Sequence, residues 1–132
     1  VLYNECMKKK TVTQLKKKLW DECRRLVIEQ YGNTCFTCGK FCEGSNRHVG
    51  HFIPSASCGA FLRYDLRNLR IQCYFCNIHA GGNGATYYKN LVEEMGQEHV
   101  DQIFRDKNVS IKADAQWYES KIEEYKCITF ED

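Results

Sequence analysis

Two cysteine pairs of identical spacing, Cys35-Phe-Thr-Cys38 and Cys73-Tyr-Phe-Cys76, constrain this chain more than any other feature. A Cys-x-x-Cys pair folded as a tight turn aims two thiolates at one ion, and two such pairs complete the tetrahedral shell of a structural zinc site. The gap between them, residues 39–72, is longer than a minimal zinc ribbon needs, so an element the size of a β-hairpin is expected between the knuckles. Nine cysteines would also suit a secreted disulfide scaffold. The odd count, the metal-knuckle spacing and the lack of an apolar signal segment ahead of them argue instead for an intracellular chain with reduced thiols and bound Zn²⁺. Cys6, Cys23, Cys42, Cys58 and Cys127 share no motif and read as small apolar fillers or free thiols, with Cys42 the one rival to Cys38 as a ligand.

The 132 residues allow one domain, read here as a zinc-held core with helical appendages: a basic helix at 11–32, the zinc-bound core at 33–83 and C-terminal helices at 84–126. Opening at Val1 without a methionine points to a piece of something longer. Val12, Leu15, Leu19, Cys23, Leu26 and Val27 fall at helical spacing and Gly32 supplies a stop, which predicts an amphipathic helix from Thr11 to Tyr31. A strand is expected over His48 to Ile53, ending at Pro54, and a returning arm over Phe61 to Gln72 with Leu66, Leu69 and Ile71 in the core. Beyond the second knuckle come a short helix from Asn77 that Gly81-Gly82 breaks, then helices over Ala85 to Met95, Gln97 to Arg105, and Ala113 to Tyr125, the last with Trp117, Ile122 and Tyr125 inward. No run approaches transmembrane length, so no membrane partner is expected. A net charge of +2 does not announce nucleic-acid binding; its distribution is more informative, with Lys8 to Lys10, Lys16 to Lys18 and Arg24-Arg25 loading the first helix while Glu93, Glu94, Glu98, Glu119, Glu123, Glu124, Glu131 and Asp132 make the far end acidic.

The inter-knuckle segment carries the residue types that phosphodiester hydrolysis needs: a base for water, a cation for the developing charge, and something to hold both in line. His51 is the candidate base, since imidazole titrates near neutrality. Asn68, across the hairpin, is placed to hydrogen-bond the backbone of the histidine-bearing loop, and Asn77 offers an oxygen to a hard divalent metal, Mg²⁺ or Mn²⁺. Arg63, Arg67 and Arg70 flank Asn68 as candidate phosphate contacts for DNA.

The stretch Cys35-x-x-Cys38-Gly39, Gly50-His51-Phe52, Leu62-Arg63-Tyr64-Asp65-Leu66-Arg67-Asn68, Gln72-Cys73-x-x-Cys76-Asn77 and Gly82-Asn83 resembles the NinG (Rap) family of lambdoid phage recombination endonucleases, within the HNH or ββα-metal nucleases. The resemblance is close over residues 33 to 105 and implies an α+β fold with a small zinc-stapled ββα-metal core flanked by helices. It further implies cleavage of branched DNA, Holliday junctions or displaced-strand flaps, in the cytoplasm of a phage-infected bacterial host, with the structural zinc separate from the catalytic metal. By position, His51 matches the general base, Asn68 the central asparagine and Asn77 the metal-binding residue. One departure stands out: many HNH nucleases place an aspartate directly before the base, and here that position is Gly50. His48, two residues back on the same strand face, and Asp65 on the facing arm are the two candidates to replace it. His79 should not share an ion with Asn77, because residues two apart on a helix diverge, and His99 reads as surface. Two cuts across a four-way junction suggest a homodimer, although no heptad seam is visible. Two other readings remain: a non-catalytic zinc-ribbon module that binds nucleic acid, and a restriction or homing type of HNH nuclease.

Overall fold

A computed structural model describes residues 9–130, so Cys6, Lys8, Glu131 and Asp132 lie outside the described residues. Helix α1 (Val12–Tyr31) starts at a capping box, in which Thr11 Oγ1 accepts from Gln14 N–H at 3.2 Å and Gln14 Oε1 accepts from Thr11 N–H at 2.9 Å. It stops where Gly32 turns to φ 72° and its N–H caps Ile28 O. Leu15, Leu19, Cys23, Leu26 and Val27 are buried along one stripe, whereas Val12, in the first turn, is exposed.

Between the knuckles, β1 (Arg47–His51) and β2 (Leu69–Cys73) form a two-stranded antiparallel sheet in which His48 faces Gln72 and Gly50 faces Arg70. β2 is buried along its whole length. The second arm is shorter than the pattern predicted, because residues 61–68 are not extended: helix α2 (Ala60–Arg63) and a 3₁₀ turn over Leu66–Asn68 replace the first half of the expected strand. Asp65 sets that turn by accepting the N–H of Arg67, so pairing begins only at Leu69. After the second knuckle the chain makes a single π-helical turn, Phe75–His79. Helices α3 (Gly84–Met95), α4 (Gln97–Asp106) and α5 (Ala115–Lys126) follow, with Gly96 at φ 91° separating the first two and Asp114 capping the third through Trp117 N–H.

Apolar side chains bury in two clusters. In one, α1 and α5 close over β2, and Tyr118, Ile122 and Tyr125 take the inward positions at i, i+4 and i+7, so that Tyr118 is fully buried and Trp117 only in part. In the other, Phe52, Ile53, Cys58 and Leu62 pack against Tyr87 and Leu91 of α3 and Val100 and Ile103 of α4. The Tyr125 hydroxyl donates to Tyr64 O at 2.6 Å, tying α5 to the turn after α2. The result is a mixed α+β fold in which the hairpin sits between the helices. Among the described residues no helix is long and apolar enough to cross a membrane.

Candidate metal centre and catalytic site

The thiols of Cys35, Cys38, Cys73 and Cys76 all lie within 4.8 Å of one another, although 35 residues separate Cys38 from Cys73 in the chain. Sγ of Cys38 and Sγ of Cys73 are 3.8 Å apart. A tetrahedron with Zn–S bonds of about 2.3 Å has an edge of roughly 3.8 Å, so the spacing suits one zinc ion. Backbone N–H groups of Cys38 and Cys76 reach the sulfurs of Cys35 and Cys73, each at 3.5 Å, and the Asn83 amide approaches Cys76 Sγ at 3.8 Å. Burial pushes the Cys35 thiol up, but the hydrogen bonds from Thr37 and from nearby backbone N–H groups outweigh it and hold the group at about 6. Its neighbour Cys38 is pushed up to about 12, first by burial. Thiols packed this closely cannot all ionise unless a cation lies among them. Cys42 is buried in the core and outside this group, which removes it as a rival ligand. Cys23 and Cys58 are likewise buried, with thiols pushed up by burial, to about 12 for Cys23. Cys127 is exposed.

His51 closes β1. Its Nε2 lies 3.0 Å from Arg63 O, and since a carbonyl only accepts, Nε2 carries the proton and Nδ1 holds the free lone pair. Trp20 of α1 stacks on the imidazole at 5.3 Å between centroids and 8° between planes. Burial depresses the His51 pKa below the usual imidazole value, with the Arg63 charge adding to the same effect and the Arg63 carbonyl opposing it. Asn68 is fully buried: its Oδ1 accepts from Ile53 N–H at 2.7 Å and its Nδ2 donates to Ile53 O at 3.1 Å, while its own carbonyl accepts from Phe52 N–H at 2.9 Å. These bonds hold the two residues that follow His51. Asn77 sits in the Phe75–His79 turn and lines two adjoining hollows, one with His51, Pro54, Ser55, Gly81 and Gly82, the other with Trp20, Arg24, Arg47 and His48.

His48 and Gly50 share a strand face with Gln72, and the His48 ring meets Asn77, with Nδ1 3.0 Å from Asn77 Nδ2. Asp65 is elsewhere. Its Oδ1 accepts from Arg67 N–H and Nε–H and its Oδ2 from Arg67 Nη2 at 2.7 Å, and it lines neither hollow, so of the two candidates to replace the missing carboxylate only His48 lies beside Asn77. His79 stacks on Phe75 and His99 is exposed on α4.

The three arginines are engaged within the fold. Arg70 is 2% exposed, pairs with Glu94 at 3.1 Å, donates to the carbonyls of Leu66, Arg67 and Leu69, and lies over the rings of Tyr31 and Phe36, which corrects its expected role as a DNA contact. Arg67 bridges Asp65 and Asp106, and Arg63 donates to the carbonyls of Ser55 and Cys58, bracing the loop beside His51. Arg24 and Arg47 line the hollow that His48 and Asn77 share, although the sequence singled out neither beside the site. Trp20 was also missed, because its position in α1 gives no sign that it reaches β1.

The family model described as Bacteriophage Lambda NinG protein matches residues 4–130. The chain is similar to protein ninG of Escherichia phage 933W, 36% identical over 74 residues, which is 56% of this chain and 36% of that protein. It is 35% identical over 74 residues to protein ninG of Escherichia phage lambda, covering 56% of this chain and 35% of that one. To protein ninG of Enterobacteria phage H19B it is 41% identical over 60 residues, 46% of this chain and 29% of that protein. The matches thus span about a third of the length of these relatives. No solved structure matches.

Proposed function

The chain belongs to the NinG family of bacteriophage lambda and related phages, and on that premise we propose that it is a metal-dependent, structure-selective DNA endonuclease with an HNH core. The observation that carries this reading is the meeting of His51 and Asn77 in one hollow, with His48 at the other side of the same asparagine. The hairpin and the turn Phe75–His79 correspond in this reading to the ββα-metal motif, and the four cysteines to its staple. His51, neutral and oriented by Arg63 O and Trp20, takes the proton of the attacking water on Nδ1. Asn77, with His48 against its amide, is the residue that would hold Mg²⁺ or Mn²⁺, a cation that would supply charge stabilisation at the scissile phosphate and at the leaving 3′-oxygen, giving 5′-phosphate and 3′-hydroxyl ends. Arg24 and Arg47 offer positive charge to the phosphates on the same side.

Branched DNA in phage recombination, within the cytoplasm of the infected host, is the proposed substrate and setting, and symmetric resolution of a four-way junction calls for a homodimer. A second reading has its own support. Phe41, Tyr74, Phe75 and Ile78 are exposed on or beside the knuckles, a surface suited to stacking on bases in a zinc-ribbon module without catalysis. Incubating the zinc-loaded protein with four-way, flap and linear duplex DNA in Mg²⁺ or Mn²⁺ separates the two. Cleavage that favours the branched substrates is expected; retention of DNA with no cleavage in either metal would favour the binding module.

A further inference from the structure

Gly50 marks a place where no side chain fits. A Cβ there would lie 1.8 Å from Gln72 Oε1, 2.7 Å from Gln72 Cδ and 3.1 Å from Asn77 Oδ1, so the glycine answers a close approach by Gln72 rather than a backbone twist. Gln72 is fully buried, and its Nε2 donates to Gly82 O at 2.9 Å and to Thr37 Oγ1 at 3.2 Å. With both amide hydrogens placed, the other end of the group must be the oxygen, and among the described residues Oε1 has no hydrogen-bond partner. Asn77 is turned in a similar way. Its Nδ2–H donates to His48 Nδ1, which directs Oδ1 to the Gly50 side, where Gln72 Oε1 also points.

Two amide oxygens therefore converge beside Gly50, one of them buried and orphaned. Such an arrangement is unfavourable unless a donor or a cation lies between them, and paired neutral oxygens are ligands for a hard divalent ion. Resting on the nuclease reading above, we infer that Gln72 is a ligand of the divalent metal, its Oε1 pairing with Asn77 Oδ1, and that His48 is a positioning residue that turns Asn77. Thr37 links this ligand to the zinc knuckle, because its hydroxyl contacts Cys35 Sγ at 3.4 Å as well as Gln72 Nε2.

The test uses the zinc-loaded wild-type chain, ¹³C- and ¹⁵N-labelled, titrated with Mg²⁺ while the side-chain amide carbons of Gln72 and Asn77 are followed by NMR. Both should shift along one binding curve. Gln72→Glu should tighten Mn²⁺ binding about tenfold by adding charge, and Gln72→Met should weaken it about tenfold, with one zinc per chain retained as the check on folding. If Asn77 and His48 respond while Gln72 does not, or if Asn77 proves to be turned so that its Nδ2 satisfies Gln72 Oε1, Gln72 is only a strut and the inference falls while the nuclease reading stands. No response from any of the three to Mg²⁺ or Mn²⁺ sinks both. Metal binding at Gln72 without cleavage of any DNA upholds the inference and sinks the nuclease reading.

Discussion

The Nδ1 lone pair of His51 serves as a base only while the ring is neutral. Burial lowers the pKa of this ring, so cleavage should rise with pH through a midpoint below the ordinary imidazole value of about 6.5 and be level by pH 7. A pH–rate profile with its midpoint above that value would assign the base to another group. The same shift has a sign for stability: the unfolded chain binds the proton more readily, so the His51 contribution to stability is present above about pH 6.5 and is lost as the pH falls below it. Asn68 acts on the backbone. Asn68→Ala strands the N–H and C=O of Ile53 in the interior, at about 1–3 kcal/mol for each unpaired group, and a denaturant midpoint equal to that of the wild type would show that those bonds contribute nothing. His51 and Asn68 were singled out from their place between the knuckles, and Asn77 from its place directly after the second. Gln72 could not be, since a glutamine beside a cysteine carries no signal until the space left by Gly50 is known.

At the scale of elements, the thiol cluster sits at the open end of the hairpin, where Cys73 faces Arg47. Metal removal by a strong chelator should therefore unfold the region between the knuckles, because ligation and folding are one equilibrium in so small a sheet. Far-UV circular dichroism unchanged after loss of the zinc would contradict this. The helices divide the arginines into two kinds. Arg24→Ala, at the rim of the His48 hollow, should weaken DNA binding and lower its salt dependence by about one phosphate contact while leaving the melting temperature nearly unchanged. Arg70→Ala should lower the melting temperature instead, having lost Glu94, three carbonyls and two aromatic faces. A titration series over salt concentration read beside a thermal melt distinguishes the two patterns. The α1 stripe, the hairpin between the knuckles and the thiol cluster were legible because periodicity and spacing are local. Helix α2 and the Leu66–Asn68 turn were not, because elements of three or four residues show no period. Arg70 was misread for the opposite reason: Tyr31, Phe36 and Glu94, which bury it, are distant in sequence, so charge alone made it look like surface.

For the molecule as a whole, the two apolar clusters meet at β1. One reaches it through Val49 and the other through Phe52 and Ile53, so the strand that carries His48, Gly50 and His51 is braced from both sides. Tyr87 adds a polar tie, its buried hydroxyl donating to Gly50 O at 2.9 Å. A site held this way suits chemistry in which a water, a phosphate and a base must be aligned within a fraction of an ångström. In the proposed nuclease, this arrangement hydrolyses DNA with His51 as the base. Single-turnover cleavage of a four-way junction by wild type and His51→Ala, at matched zinc content and in Mg²⁺, Mn²⁺ or excess chelator, tests it most directly. Cleavage by the wild type only with added divalent metal, about 10² to 10⁴ slower in His51→Ala with junction affinity retained, is the predicted result. Equal rates for the two proteins would contradict the account.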